Sequence, residues 1–191
     1  MLAQISSQDV LDTFGLTGVV YYPSSRASTL DQETFAFLSS TGLPANETFA
    51  PLADLTDHNL IFSTVPSLKA EFERYSADLP PECTEWEILG QLLYSTAAID
   101  PTSGKIYSFP EGEEHYVPLH ADVSSLTHSL IVLEKGKREL KELRDDPEYT
   151  MHTVITERMT AEISAIDETP LSTAESEWTR IFEEIAMGMW G

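Results

Sequence analysis

The stretch EWEILGQLLYSTAAIDPTSGKIYSFPEGEEHYVPLHADVSSLTHSL, residues 85–130, decides the fold. Trp86, Ile88 and the mixed run to Tyr94 read as a strand with one face suited to burial, and Ala97 to Ile99 reads as a second. Asp100-Pro101-Thr102-Ser103-Gly104 has turn chemistry: Asp and Ser bond to nearby backbone, Pro fixes φ, and Gly accepts a positive φ. Lys105 to Phe109 and His115 to Leu119 then alternate polar and apolar residues, as half-buried strands do. Consecutive strands with short connections predict an antiparallel meander. Asp122 is placed to cap a long helix whose Val123, Leu126, Leu130, Leu133 and Leu140 form one apolar stripe.

Working outward, Ser6 to Phe14 predicts a short helix and Val19 to Tyr22 a strand closed by Pro23. Ser28 or Thr29 caps a helix whose Leu30, Thr34, Phe37 and Leu38 share a face, with Gly42 and Pro44 as its stop. Between Ala45 and Pro81 the pattern weakens. Phe49–Leu55 and Asn59–Ser63 suit short strands. Val65, Leu68, Phe72 and Tyr75 have helical spacing, with Pro66 at the first helical position. In the last third, Met151, Ile155, Met159, Ile163 and Ile166 recur every three or four residues. Ser172 and Glu175 form a capping-box pattern before Trp178, Ile181, Phe182, Ile185 and Met189. With no repeat and no dividing linker, residues 1–191 are expected to form one α+β domain. A central antiparallel or mixed sheet spans Glu85 to Leu119, and helices from Asp31, Asp122 and Ser172 pack mainly on one side, leaving one wet face. Trp86, Ile88, Ile99, Ile106, Tyr107, Leu126, Leu130, Leu133, Trp178 and Phe182 are the predicted core.

Thirty-two acids against eleven bases leave a net charge of −21 in 191 residues. Such a field repels nucleic acid and anionic membrane and accelerates encounter with a basic partner, although solubility or salt adaptation also produces it. The charge is uneven: residues 134–141 hold four of the eleven bases, whereas from Glu142 onward there are twelve acids and three bases. No apolar run approaches the roughly 18–20 residues that cross a bilayer. The first residues lack a basic lead and a continuous apolar segment, so no secretory signal is expected. The lone Cys83 leaves no internal disulfide or multi-cysteine metal site, and a reducing cytoplasm is the expected compartment.

Motifs that would carry chemistry are missing. His115 and His120, with Glu113 and Glu114 beside them, invite a zinc reading. A spacing of five on a strand sends the two rings to opposite faces, and zinc needs three or four converging ligands, so surface histidines at a hairpin end are expected instead. His58, His128 and His152 are scattered. Cys83 sits among Glu82 and Glu85, which raise a thiol pKa and disfavour a reactive thiolate. Glu85 and Glu87 could be offered as a glycosidase pair but read as solvated surface. Trp86 and Trp178 read as packing anchors, and Trp190 as a fastening residue or an exposed contact. Lys135, Lys137, Arg138, Lys141 and Arg144 read as a solvated helix face. No catalytic residue, metal or cofactor is expected.

Several phrases, taken in order, resemble the SUKH superfamily, many of whose bacterial members are immunity proteins against secreted polymorphic toxins. These are the helix ending Gly42-Leu43-Pro44, the strand bearing Gly90, the hairpin Asp100-Pro-Thr-Ser-Gly104-Lys-Ile106, and a closing helix from Ser172 to Met189 that bears Trp178. The likeness runs from about Leu30 onward and is nearest to the group with a Trp-bearing C-terminal helix. Where that family often enters the long helix through Asn then Ser or Asp, this chain reads His120-Ala121-Asp122. The resemblance implies a non-enzymatic protein that binds and blocks a toxin domain, with nuclease and nucleic-acid deaminase domains among the family's partners. A regulatory or scaffold module without a toxin, and a small metal-dependent hydrolase, are the alternatives. A toxin that handles nucleic acid needs a basic surface, so carboxylates are the candidate contacts. These are Glu111, Glu113 and Glu114 at a hairpin tip, Glu82, Glu85 and Glu87 approaching the sheet at its first strand, and Asp54 and Asp57 in the least regular region.

Overall fold

Each strand of the central run folds back on the one before it, and the turn residues show why. Asp100 accepts hydrogen bonds from Thr102 N and Ser103 Oγ, while Gly104 takes φ +71. The computed structural model describes residues 1–22, 30–51, 68–74, 77–93, 95–110, 115–143 and 149–190. Within them β3 (Phe49–Pro51), β4 (Glu87–Leu92), β5 (Ser95–Ile99), β6 (Ile106–Pro110) and β7 (Val117–His120) form one antiparallel sheet in chain order. Glu87 pairs with Ile99 and Ile99 with Ile106. At the other end Leu92 pairs with Ser95 and Ser95 with Pro110. After α1 (Ser7–Phe14), capped by Ser6 as expected, a separate ribbon pairs β1 (Val19–Val20) with β2 (Leu43–Pro44). The first strand is thus shorter than the predicted Val19–Tyr22. Of the two predicted strands after it, only Phe49–Pro51 falls among the described residues, and Asn59–Ser63, Val65, Pro66 and Tyr75 lie outside them.

The inner face of the sheet carries Leu89, Leu92, Ala97, Ile99, Ile106 and Leu119, all fully buried. Against them lie α2 (Gln32–Ser40), α4 (Val123–Glu142), α5 (Thr150–Ser164) and α6 (Glu177–Ala186) in one continuous apolar cluster. Asp122 caps α4 as expected, its carboxylate accepting from Ser125 N at 2.8 Å. The α4 stripe is buried from Val123 to Leu140. Next to it α5 crosses so closely that a Cβ at Gly136 would run into the Met159 side chain. The fold class is α+β with helices mainly on one side. Nine of the ten predicted core residues are buried, and Tyr107 is half-buried.

Four details differ from the sequence reading. The cap of α2 is Asp31, which accepts from both Glu33 N and Thr34 N, rather than Ser28 or Thr29. The last helix begins at Glu177 under a Ser176 cap, because Pro170 opens a tight turn at Thr169–Leu171 that Ser172 closes with its own backbone and hydroxyl. Met151, Ile166 and Met189 are exposed: α5 begins only at Thr150 and turns His152, Ile155, Met159 and Ile163 inward. Finally, the outer sheet face is not wholly wet. Leu68 and Phe72 of α3 (Leu68–Arg74), with Cys83 and Leu79, pack over it.

Candidate functional site

Strand alternation sends Tyr107 and Phe109 of β6 to that outer face, where Trp86 meets them just before β4 and Tyr116 just before β7. The rings interlock. Trp86 stacks on Tyr107 at 4.4 Å between centroids and 21° between planes, and Tyr116 stands edge-on to both at 5.1 and 5.2 Å. Trp86 is buried, whereas Tyr107 and Tyr116 remain half-buried and reachable. The 3-10 turn Pro81–Cys83 brings Glu82 over this platform, and the Tyr116 hydroxyl donates to its Oε1 at 3.1 Å. Glu82 and Glu85 are exposed and Glu87 is half-buried at the strand's start. Burial, aided by Asp100 for Tyr107 and by the Glu82 bond for Tyr116, raises both phenol pKa values, so both rings stay neutral donors. The Cys83 thiol is pushed up to about 11, by burial first and then by Glu82 and Asp100, which leaves it protonated and inert.

Of the candidate acids, the structure brings Glu82 and Glu85 to one end of the sheet beside the outer face, whereas Glu87, paired with Ile99 and set between the outward Trp86 and Ile88, belongs to the inner face at the same end. Glu111, Glu113, Glu114, Asp54 and Asp57 lie outside the described residues. Pro110, the last described residue before Glu111, pairs with Ser95 at the sheet end opposite Glu87. Five strand steps separate the two ends, roughly 17 Å.

The inner face holds a polar group that the sequence did not announce. His120 is not a surface histidine but 1% exposed, with Nδ1 3.4 Å from Asp167 Oδ2. Ser125 Oγ lies 2.8 Å from the same oxygen, Ala121 N donates to it at 2.8 Å, and Thr169 N donates to Oδ1 at 2.9 Å. Ser, His and Asp invite a hydrolytic reading, and the wiring refuses it. A relay needs the serine on one ring nitrogen and the carboxylate on the other, but here both sit at Nδ1, and Nε2 is buried without a described partner. The group is a latch between β7, α4 and the turn after α5. Asp167-Glu-Thr-Pro170, a turn phrase, was its only sequence signal. No cluster of His, Cys, Asp and Glu suited to a metal occurs among the described residues.

The basic residues of α4 are not a plain solvated face either. Lys137 is 7% exposed, bonds to Glu47, and holds its ammonium 5.3 Å from the Trp190 ring centre. Arg138 donates to the Thr13 carbonyl and lies 3.4 Å from Glu134. Trp190 is fastened, its Nε1 donating to Glu184 at 2.8 Å. A cavity of about 470 Å³ opens beside Lys137, with Lys141, Met189 and Trp190 in its wall.

The model of a family described as SUKH-4 immunity protein matches residues 5–184, reaching further toward the start than the likeness from Leu30. No curated protein and no solved structure matches the chain. Among the described residues no helix is long and apolar enough to cross a membrane.

Proposed function

The chain belongs to the SUKH-4 immunity protein family, and from that premise we propose that it is a cytoplasmic, single-domain inhibitor that neutralises one basic toxin domain by binding it. Toxin neutralisation is the family's general role, and the match over residues 5–184 is the observation that carries the reading. The charge of −21 supports a basic partner, since it accelerates encounter with such a domain and disfavours nucleic acid and anionic membrane. The partner is a nuclease or a nucleic-acid deaminase, whose phosphate-binding groove carries the basic surface that carboxylates mimic. Glu82, Glu85, Glu87, Glu111, Glu113, Glu114, Asp54 and Asp57 are the contact acids. Inhibition needs no chemistry from this chain, in keeping with the unwired serine, histidine and aspartate.

Co-expression tests the proposal. A toxin domain encoded beside this chain should kill cells alone, spare them when the chain is present, and co-purify with it. Full killing in its presence, with both proteins soluble, would remove the reading in favour of a scaffold module without a toxin.

A further inference from the structure

Acidity alone says little about where a partner sits, because acids are spread over the whole chain. The outer sheet face adds what acidity lacks. Tyr107 and Tyr116 present half-buried rings locked against Trp86, so little side-chain freedom remains to be lost when a ligand packs on them. Glu82 is held at the edge of Tyr116 by the 3.1 Å hydroxyl bond and yet is exposed, so its carboxylate is positioned and open to a second donor. A ring face beside a fixed carboxylate suits one kind of group above others. A planar guanidinium stacks on the ring through its π-system and donates to the carboxylate at its edge, which a compact ammonium does less well.

The surroundings match. Glu85 continues the negative rim, Lys69 of α3 is paired with Glu73 at 3.9 Å, and Lys105 immediately precedes β6. Arg158 and Arg180 are paired with Glu139 and Glu177 in the helical layer, and Lys137 is enclosed there. We infer that the outer aromatic face is the docking surface, and that it seats an arginine of the partner domain between the Tyr107–Tyr116 rings and the Glu82 carboxylate. The inference rests on the toxin-binding reading above and locates its contact.

The test uses the intact chain and the toxin domain encoded beside it, with association and dissociation rates measured at low and high salt. Glu82→Lys should slow association about tenfold at low salt, and the effect should shrink as salt screens it. Tyr116→Ala should speed dissociation about tenfold, since the ring is lost and Glu82 is released. Tyr116→Phe, which keeps the ring and the packing, should speed it about threefold and guards against a folding artefact. The pair Glu157→Lys and Glu168→Lys makes a charge change of the same kind on exposed positions of the helical side and should leave both rates near the parent's. In phenylglyoxal labelling read by mass spectrometry, an arginine of the toxin should be protected by the parent chain and exposed with Tyr116→Ala. Parent-like rates for Glu82→Lys and Tyr116→Ala, an equal slowing by the helical-side pair, or protection of lysines alone would overturn the placement. If the parent chain itself does not bind, the functional reading fails and this inference falls with it.

Discussion

The two faces of the five-stranded sheet differ in how far they shut water out. On the inner side nearly everything is buried, even where a polar atom such as Trp178 Nε1 or His120 Nε2 has no described partner. Trp178 is fully buried, Ser95 donates to the buried Glu177 at 2.8 Å, and the Asp167 carboxylate is bonded on both oxygens. On the outer side the rings stop half-buried and the carboxylates lie open at their edge. Stability and recognition make opposite demands on the same residue types, and one sheet separates them by sending alternate residues to alternate faces.

The contrast breaks first if inner-face truncations are tolerated. Trp178→Ala should cost about 3–5 kcal/mol and Leu130→Ala about 2–5, through lost burial and the cavity left behind. Urea midpoints near the parent's would show that the helical layer is not the core. The latch comes next. Asp167→Asn should cost about 1–3 kcal/mol by disrupting the buried bonds around His120 and Ser125. Burial opposes the charge of Asp167, yet hydrogen bonds from His120, Ala121 and Thr169 hold its carboxyl well below the usual range. Burial first, helped by His128, pushes His120 down against the opposing pull of Asp167 and Asp122 and keeps it neutral.

Both shifts act in the same sense: the unfolded chain binds more protons, so stability falls as pH falls. Loss should begin below about pH 6.5 as the unfolded histidine takes up a proton, and deepen below about pH 4 as the unfolded aspartate does. Asp167→Asn should flatten the lower limb and His120→Gln the upper one, read from urea midpoints against pH.

Smaller effects sharpen the comparison. Tyr116→Phe should cost about 1 kcal/mol or less, because its hydroxyl bonds an exposed carboxylate. A larger loss would make the outer face part of the structural core. Smallest of all, Arg158→Ala should stay within about 0.5 kcal/mol despite two bonds to Glu139, since both partners are about half exposed.

Much of this was legible in the chain. The meander and α4 declared themselves through alternation, the Asp100–Gly104 turn and the Asp122 cap, all signals that lie within a few residues. The start of α6 is hidden in the sequence because Ser172 and Glu175 mimic a capping box, while the deciding contact is the Ser176 hydroxyl on the Pro170 carbonyl. The burial of His120 depends on Asp167, distant in sequence, and no local pattern encodes that meeting. The same holds for the platform. Glu82, Glu85 and Glu87 carry only a charge signal in the sequence, and nothing near Glu82 says that Tyr116, 34 residues away, fixes it. Lys137 likewise looked like surface until Glu47 and Trp190 closed over it. Function was legible through family likeness, since no catalytic spacing marks it.

Cys83, fully buried in the outer-face cluster with its thiol pushed up to about 11, makes the outer face a clock that can be read without changing a residue. As the chain's single cysteine, it gives a thiol reagent one place to react. When local opening and closing are fast, the reaction rate measures how often this face opens rather than how often the whole chain unfolds. A partner seated on the rings would slow that clock in proportion to its occupancy, whereas one bound across the helical layer would leave its rate unchanged.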